Sequence, residues 1–191
     1  RNASQRALLP RGGSYAVILS DPLHIPQGLD APQTTNSTLV QKGQMMSIIV
    51  AYKYAANPQD TTVDASGAVD WSRAKAAISE YDPVAVQVGR ALADSLGTDV
   101  VGVSVGGKAV ASSMAKKGAL SMGMDRALVV ADDATADWNA TTVASALAGL
   151  VGKVEGASLV LTGDSSIDES AKIVPTLIAG FLGWPCFQEV V

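Results

Sequence analysis

The sequence holds a single cysteine, Cys186, and a single histidine, His24, so it offers neither an intramolecular disulfide nor the Cys/His spacing of a zinc site. A reducing, cytoplasmic compartment fits this composition best. Aromatic residues make up 5% of the chain and charged residues 17%, and no apolar run approaches the roughly 20 residues that span a bilayer. A soluble protein with no membrane span is expected. Fourteen basic residues against eighteen acidic ones give a net charge of -4, which leaves no electrostatic footprint for a nucleic acid backbone. From Met46 onward there is no histidine at all. That removes the usual general base and the Ser-His-Asp and Cys-His arrangements, leaving cofactor chemistry or plain binding.

What is present falls into two unequal pieces. Residues 1–45 contain four of the eight prolines, four basic residues against two acidic ones and no sustained period, and position 1 is not Met. This predicts a disordered or foreign leader, since the apolar run Tyr15 to Leu19 is five residues long where a signal-peptide core needs roughly 7 to 15. Residues 46–191 carry ten basic and sixteen acidic residues and alternate short apolar runs with amphipathic stretches. Ile48 to Tyr52, Asp99 to Ser104, Ala127 to Ala131 and Ser158 to Thr162 read as strands covered on both faces. Helices are expected from Pro83, behind an Asp82 cap, to Gly97; from Lys108 to Leu120; from about Ala136 to Val151; and from just after Asp168. This order predicts an α/β doubly wound domain with a mainly parallel sheet. A hairpin around Ser66-Gly67, between Thr61 and Ala76, is inserted after the first of these strands, and Cys186 to Val191 reads as a last strand.

Two loops draw attention to the carboxyl edge of that sheet, where open parallel sheets bind ligands. Gly102 to Lys108 satisfies G-x-x-x-x-G-K, but Ala109 replaces the magnesium-binding hydroxyl and Gly102 falls inside a strand, so an ATP-hydrolysing P-loop is rejected. Gly106 and Gly107 are then either a tight turn or a close approach to a ligand. The second loop begins at Gly163 and runs through Asp164, Ser165, Ser166, Ile167, Asp168, Glu169 and Ser170. Its small polar residues serve equally as a helix cap or as an anion site at a helix start. Lys172, placed on the first helical turn, tilts the balance toward an anion because a cation there opposes the dipole unless it has a partner. Met114, Met122 and Met124 are expected to fill gaps in the core. Cys186 is expected to be a small core side chain, and Trp71, Trp138 and Trp184 are too scattered to form a stacking platform.

These residues resemble the small (beta) subunit of electron-transfer flavoprotein. The resemblance runs from Met46 to Val191 and rests on Met-Ser-Ile-Ile-Val-Ala-Tyr-Lys-Tyr with Asn57 to Asp60, Val69 to Asp82, Val103-Ser-Val-Gly-Gly-Lys108, Leu120 to Arg126, and Gly163 to Asp168 through Ala179 to Pro185. The Tyr-Lys and Ser-Val-Gly-Gly-Lys forms are most similar to the carnitine-pathway or nitrogen-fixation branch. The resemblance implies a Rossmann-like fold of the adenine nucleotide alpha-hydrolase kind and a chain that continues past Val191. It implies an alpha-subunit partner carrying the redox-active FAD, dehydrogenase or oxidoreductase electron partners, and AMP or a second FAD in the beta subunit. The nucleotide is then expected at Ala51, at Asp82, Pro83, Val84 and Ala85, at Val105, and along Gly163 to Ser170 with Ala171, Lys172, Ile173 and Val174. Many AMP-binding relatives show Gln-Ala-Ile-Asp and Asn-Gln-Thr where this chain has Ser165 to Asp168 and Lys172 to Val174. Lys172 with the loop amides is therefore expected to hold the anion. The other functional classes open to the same sheet are a stand-alone adenine-nucleotide regulator or ATP-using enzyme, and a structural subunit with an empty cleft.

Overall fold

The structure is a computed structural model and describes residues 13–20 and 46–191. Its centre is a six-stranded sheet in the order β10-β1-β9-β2-β7-β8. Strands β2 (Ser47–Ala51), β7 (Val100–Gly106), β8 (Arg126–Ala131) and β9 (Ala157–Gly163) run parallel to one another, as expected from their two-faced apolar runs. Successive residues of β2 divide between two cores. Ile48 and Val50 pack with Ala85, Val86 and Ala93 of helix α1 (Asp82–Leu96) and Ala119 of α2 (Ser113–Ser121). Ile49 and Ala51 pack with Ala144, Leu147 and Val151 of α3 (Ala140–Val151) and Ile178 and Ala179 of α4 (Val174–Leu182). Each fully buried aliphatic side chain contributes roughly 1.5 to 3 kcal/mol, and alanines on the helices let the layers approach closely. The domain is doubly wound, with helices on both faces.

Helix ends depart from expectation in four places. Helix α1 stops at Gly97 in the left-handed conformation, as anticipated, but Asp82 is its first residue rather than its cap. The stretch from Lys108 to Ala111 is a single 3-10 turn, and α2 starts only at Ser113, where Ser112 Oγ accepts from the Ala115 N–H. Similarly, Asp133–Asp137 is a 3-10 turn, and Asn139 caps α3 by accepting from the Thr142 N–H. Helix α4 begins at Val174 with Pro175 in its first turn, so the loop after β9 runs to Ile173 and Lys172 lies outside the helix. Proline supplies the preorganised φ and the missing donor that suit a helix start.

The leader reading of residues 1–45 fails at its middle. Strand β1 (Tyr15–Leu19) enters the central sheet antiparallel between β9 and β10 (Cys186–Val190), with Ala16 and Ile18 fully buried. Five residues are too few for a signal-peptide core but enough for a strand, and alternation aims Ile18 into one core and Tyr15 and Val17 toward the other. The rest of the expected leader lies outside the described residues. The inserted hairpin is present and has two tiers. β3 (Tyr54–Ala56) pairs with β6 (Ala76–Ile78), and β4 (Thr62–Val63) pairs with β5 (Val69–Asp70), around a turn in which Gly67 has φ 86°. Met124 sits in the core and Met122 against it, but Met114 is 75% exposed and fills no gap. Cys186 is half-buried against the core, and burial raises its thiol pKa. No helix among the described residues is long and apolar enough to cross a membrane.

Candidate functional site

From β2 the chain crosses to β7 and then β8 on one side, while β9 lies on the other, so the winding reverses between β2 and β9. A crevice opens at the carboxyl ends of strands at such a reversal. Here it is a cleft of about 420 Å³. One wall is apolar, formed by Val105, Trp138, Val143, Leu147, Pro175 and Ile178. Lys53, Asp82, Asp164, Asp168, Glu169 and Lys172 supply its charged lining.

The floor is built around Asp82, which is 4% exposed. Its Oδ2 accepts from the Lys53 N–H at 2.8 Å, and its carboxylate also accepts from the Gly163 N–H. One side chain from α1 thereby ties together the ends of β2 and β9. Burial pushes the Asp82 carboxyl up to about 7; the two N–H groups and the Lys53 ammonium pull the other way, and Asp168 adds to the rise. Burial also raises the Tyr52 phenol, with Asp82 contributing. Gly163 is required at this point. A Cβ there would lie 2.6 Å from Asp82 Oδ1 and 2.9 Å from the Tyr81 backbone.

The loop after β9 is pinned by charge. Lys53 Nζ lies 2.7 Å from Asp168 Oδ2 and 3.4 Å from Glu169 Oε2. Burial opposes ionisation of Asp168, but the Lys53 ammonium and the Ser166 hydroxyl outweigh it and hold the carboxyl below its ordinary range. Lys172 Nζ stands 3.6 Å from Asp164 Oδ2, which also accepts from Ser14 Oγ at 2.6 Å. The partner that a cation at this place needs is thus a carboxylate of the same loop, and the dipole argument for an anion at Lys172 falls away. The other lysine loop behaves alike. Asp133 accepts from the Lys108 N–H at 2.9 Å and pairs with its ammonium at 3.0 Å, while Gly102 sits inside β7, where a Cβ would meet Met124 Sδ at 2.5 Å. Nothing in the Gly102–Ala109 segment wraps a phosphate as a P-loop does.

Of the residues singled out from sequence, Ala51, Asp82, Val105, Gly163, Asp164, Ser165, Ser166, Asp168, Glu169, Ala171, Lys172 and Val174 line this one cleft. Pro83, Val84, Ala85, Ile167, Ser170 and Ile173 do not. Ala85 is wholly buried between α1 and the sheet, and Val84 faces Gly13. Asp82 neither caps α1 nor projects freely; it faces back toward Lys53 and Gly163. Sequence reasoning missed Lys53 as a site residue, although the Tyr-Lys pair directly after a buried strand was there to be used. It also missed Trp138, whose approach to the cleft depends on the 3-10 turn before α3.

Residues 67–191 match the family described as "Electron transfer flavoprotein domain". Proteins of that family are flavoproteins that carry electrons and are not enzymes in their own right. With the match spanning well over half of its length, this chain belongs to the electron transfer flavoprotein family.

Proposed function

We propose that the chain is a beta-type subunit of an electron transfer flavoprotein, of the carnitine-pathway or nitrogen-fixation branch, and that its cleft holds one adenine mononucleotide, AMP, in a structural role. Its partner is an alpha-type subunit carrying the redox-active FAD, and the pair relays electrons between a dehydrogenase and an acceptor. The flavin supplies the redox chemistry; this chain binds, orients and excludes water. The observation that carries the reading is the convergence of four separated carboxyl-edge segments, at Ala51, Asp82, Val105 and Gly163 to Val174, on one cleft at the winding reversal.

Size and charge favour AMP over a second FAD. At about 420 Å³ the cleft falls in the lower part of the range of small-molecule sites, suited to a mononucleotide and small for a dinucleotide of more than twice its atoms. The charged lining has four carboxyl groups and two ammonium groups, and both ammonium groups are already paired. Each further phosphate would add repulsion against Asp164, Asp168 and Glu169. A single phosphate can instead face the Val174 N–H at the start of α4, ahead of Pro175, which has none, and of Leu177, which donates to the Ile173 carbonyl. The apolar wall with Trp138 suits a purine, and carboxylates suit ribose hydroxyls as acceptors.

The same features weigh against an ATP-using enzyme, since Lys108 is held by Asp133 and no hydroxyl stands at position 109. Calorimetric titration of the protein, first stripped of any bound nucleotide, with AMP, ATP and FAD separates the readings. Saturable binding of AMP, with ATP and FAD weaker, is expected; preference for ATP or for FAD would contradict the proposal.

A further inference from the structure

The segment from Asp164 to Ile173 joins β9 to α4 without helix or strand. Two of its residues, Ser170 and Lys172, hold φ at 50° and 53°, the left-handed region that L-residues avoid. Such a backbone keeps one shape only where its surroundings over-determine it. Some ties are internal: Ser170 donates through both its N–H and its Oγ to the Ser166 carbonyl. The others come from outside: Ser14 Oγ holds Asp164, Gln188 Nε2 donates to the Lys172 carbonyl, and the 166–169 turn is held from the two roots of the inserted arm. At one root, the Lys53 ammonium grips Asp168 and Glu169, in a pair whose side chains are 35% and 23% exposed at its shorter contact. At the other root, Ser79, 2% exposed, accepts through its Oγ from the Ile167 N–H at 3.3 Å. The roots are bonded to each other, with the Ser79 N–H donating to the Lys53 carbonyl at 2.8 Å.

We propose that Lys53 and Ser79 are positioning residues for the cleft loop: together they fix the 166–169 turn against the ends of β2 and α1, so that the loop presents one preformed face to the ligand. The nucleotide part of this proposal rests on the reading given above; the ordering of the loop does not. Lys53 acts through Asp168 and Glu169. Its ammonium already has two carboxylate partners, whose charges offset its own toward a phosphate.

Amide hydrogen exchange over residues 163–173 of the full chain, without ligand, tests the claim. Lys53→Met and Ser79→Ala should each speed loop exchange by about threefold or more, while exchange in β7 stays unchanged. Lys53→Arg and Ser79→Thr should restore the slow rates. Asp168→Asn should reproduce Lys53→Met, the double variant should be no worse than either, and AMP affinity should fall in the same order. Unchanged loop exchange in Lys53→Met would overturn the proposal. So would tighter AMP binding in Asp168→Asn, the sign expected if Lys53 held phosphate itself and Asp168 merely competed. Wild-type protein that takes up no AMP would overturn the nucleotide reading instead, and the exchange measurement would still decide the positioning claim.

Discussion

Two loops at the carboxyl edge of this sheet share a vocabulary of glycine, small polar residues and one lysine, yet they are built for different ends. In the loop after β7, Asp133 takes both the N–H and the ammonium of Lys108, and only Gly106 and Gly107 reach the cleft. In the loop after β9, Gly163 passes close against Tyr81, Asp82 sits beneath it, and most of the segment lines the cleft. The lesson is that a lysine beside glycines says little about phosphate until its carboxylate partner is known. What distinguishes the second loop is its length, its left-handed residues and the buried acid under its start.

Asp82 gives the largest expected difference between the two loops. Its carboxyl is raised in the folded protein to about 7, far above the ordinary range of an unfolded aspartate, so the native state holds the extra proton between about pH 4 and 7. The stability it contributes is therefore complete in acid and is lost as pH rises through 7. Asp82→Asn cannot ionise. Its stability relative to wild type should improve by roughly 2 to 4 kcal/mol from pH 5 to pH 8, on top of a constant loss from facing an amide donor with its own NH₂. Denaturant melts at the two pH values check this, and parallel curves would break the assignment. No such trend should follow from Asp133→Asn, because Asp133 lies exposed beside the first loop.

Gly163→Ala ranks next. Its Cβ would meet backbone that cannot turn aside, and overpacking of this kind costs roughly 1 to 3 kcal/mol, with loss of the cleft's shape. Gly107→Ala is the contrasting case: its nearest neighbour is Asp133 Oδ1 at 3.2 Å, the movable end of an exposed side chain. Thermal melts should show a large drop for the first and little for the second.

Lysine removal gives the smallest effects. Lys172 is 57% exposed and paired at 3.6 Å, so Lys172→Ala should weaken AMP binding by no more than a few-fold, less than the order of magnitude that a direct phosphate ligand would imply. Lys108→Ala should leave AMP binding unchanged in the same titration, since its ammonium belongs to Asp133.

How far each loop could be read from sequence follows from the range of its contacts. The strands that carry the loops were legible because Val100, Val101 and Val103, or Leu159, Val160 and Leu161, need cover on both faces. The cleft's position was legible too, because alternating strands and helices dictate which edge the loops share. The start of α4 was misread: Asp168 looks like a cap until its carboxylate is seen on Lys53, and Pro175, which marks the true start, lies further on. Strand β1 was illegible because its five residues stand in a proline-rich stretch and gain meaning only beside Leu159 to Gly163 and Cys186 to Val190. Local pattern reveals local structure; a residue such as Lys53, whose partners arrive from the loop after β9, reveals its role only in the fold.

The central claim is that the cleft between β2 and β9 retains one adenine mononucleotide. Heat denaturation of the purified wild-type protein and of Gly163→Ala, followed by mass identification of what each releases, tests it most directly. The account predicts AMP from the wild type, close to one per chain, and markedly less from the variant. Release of FAD or ATP in its place, or equal AMP from both proteins, would contradict it.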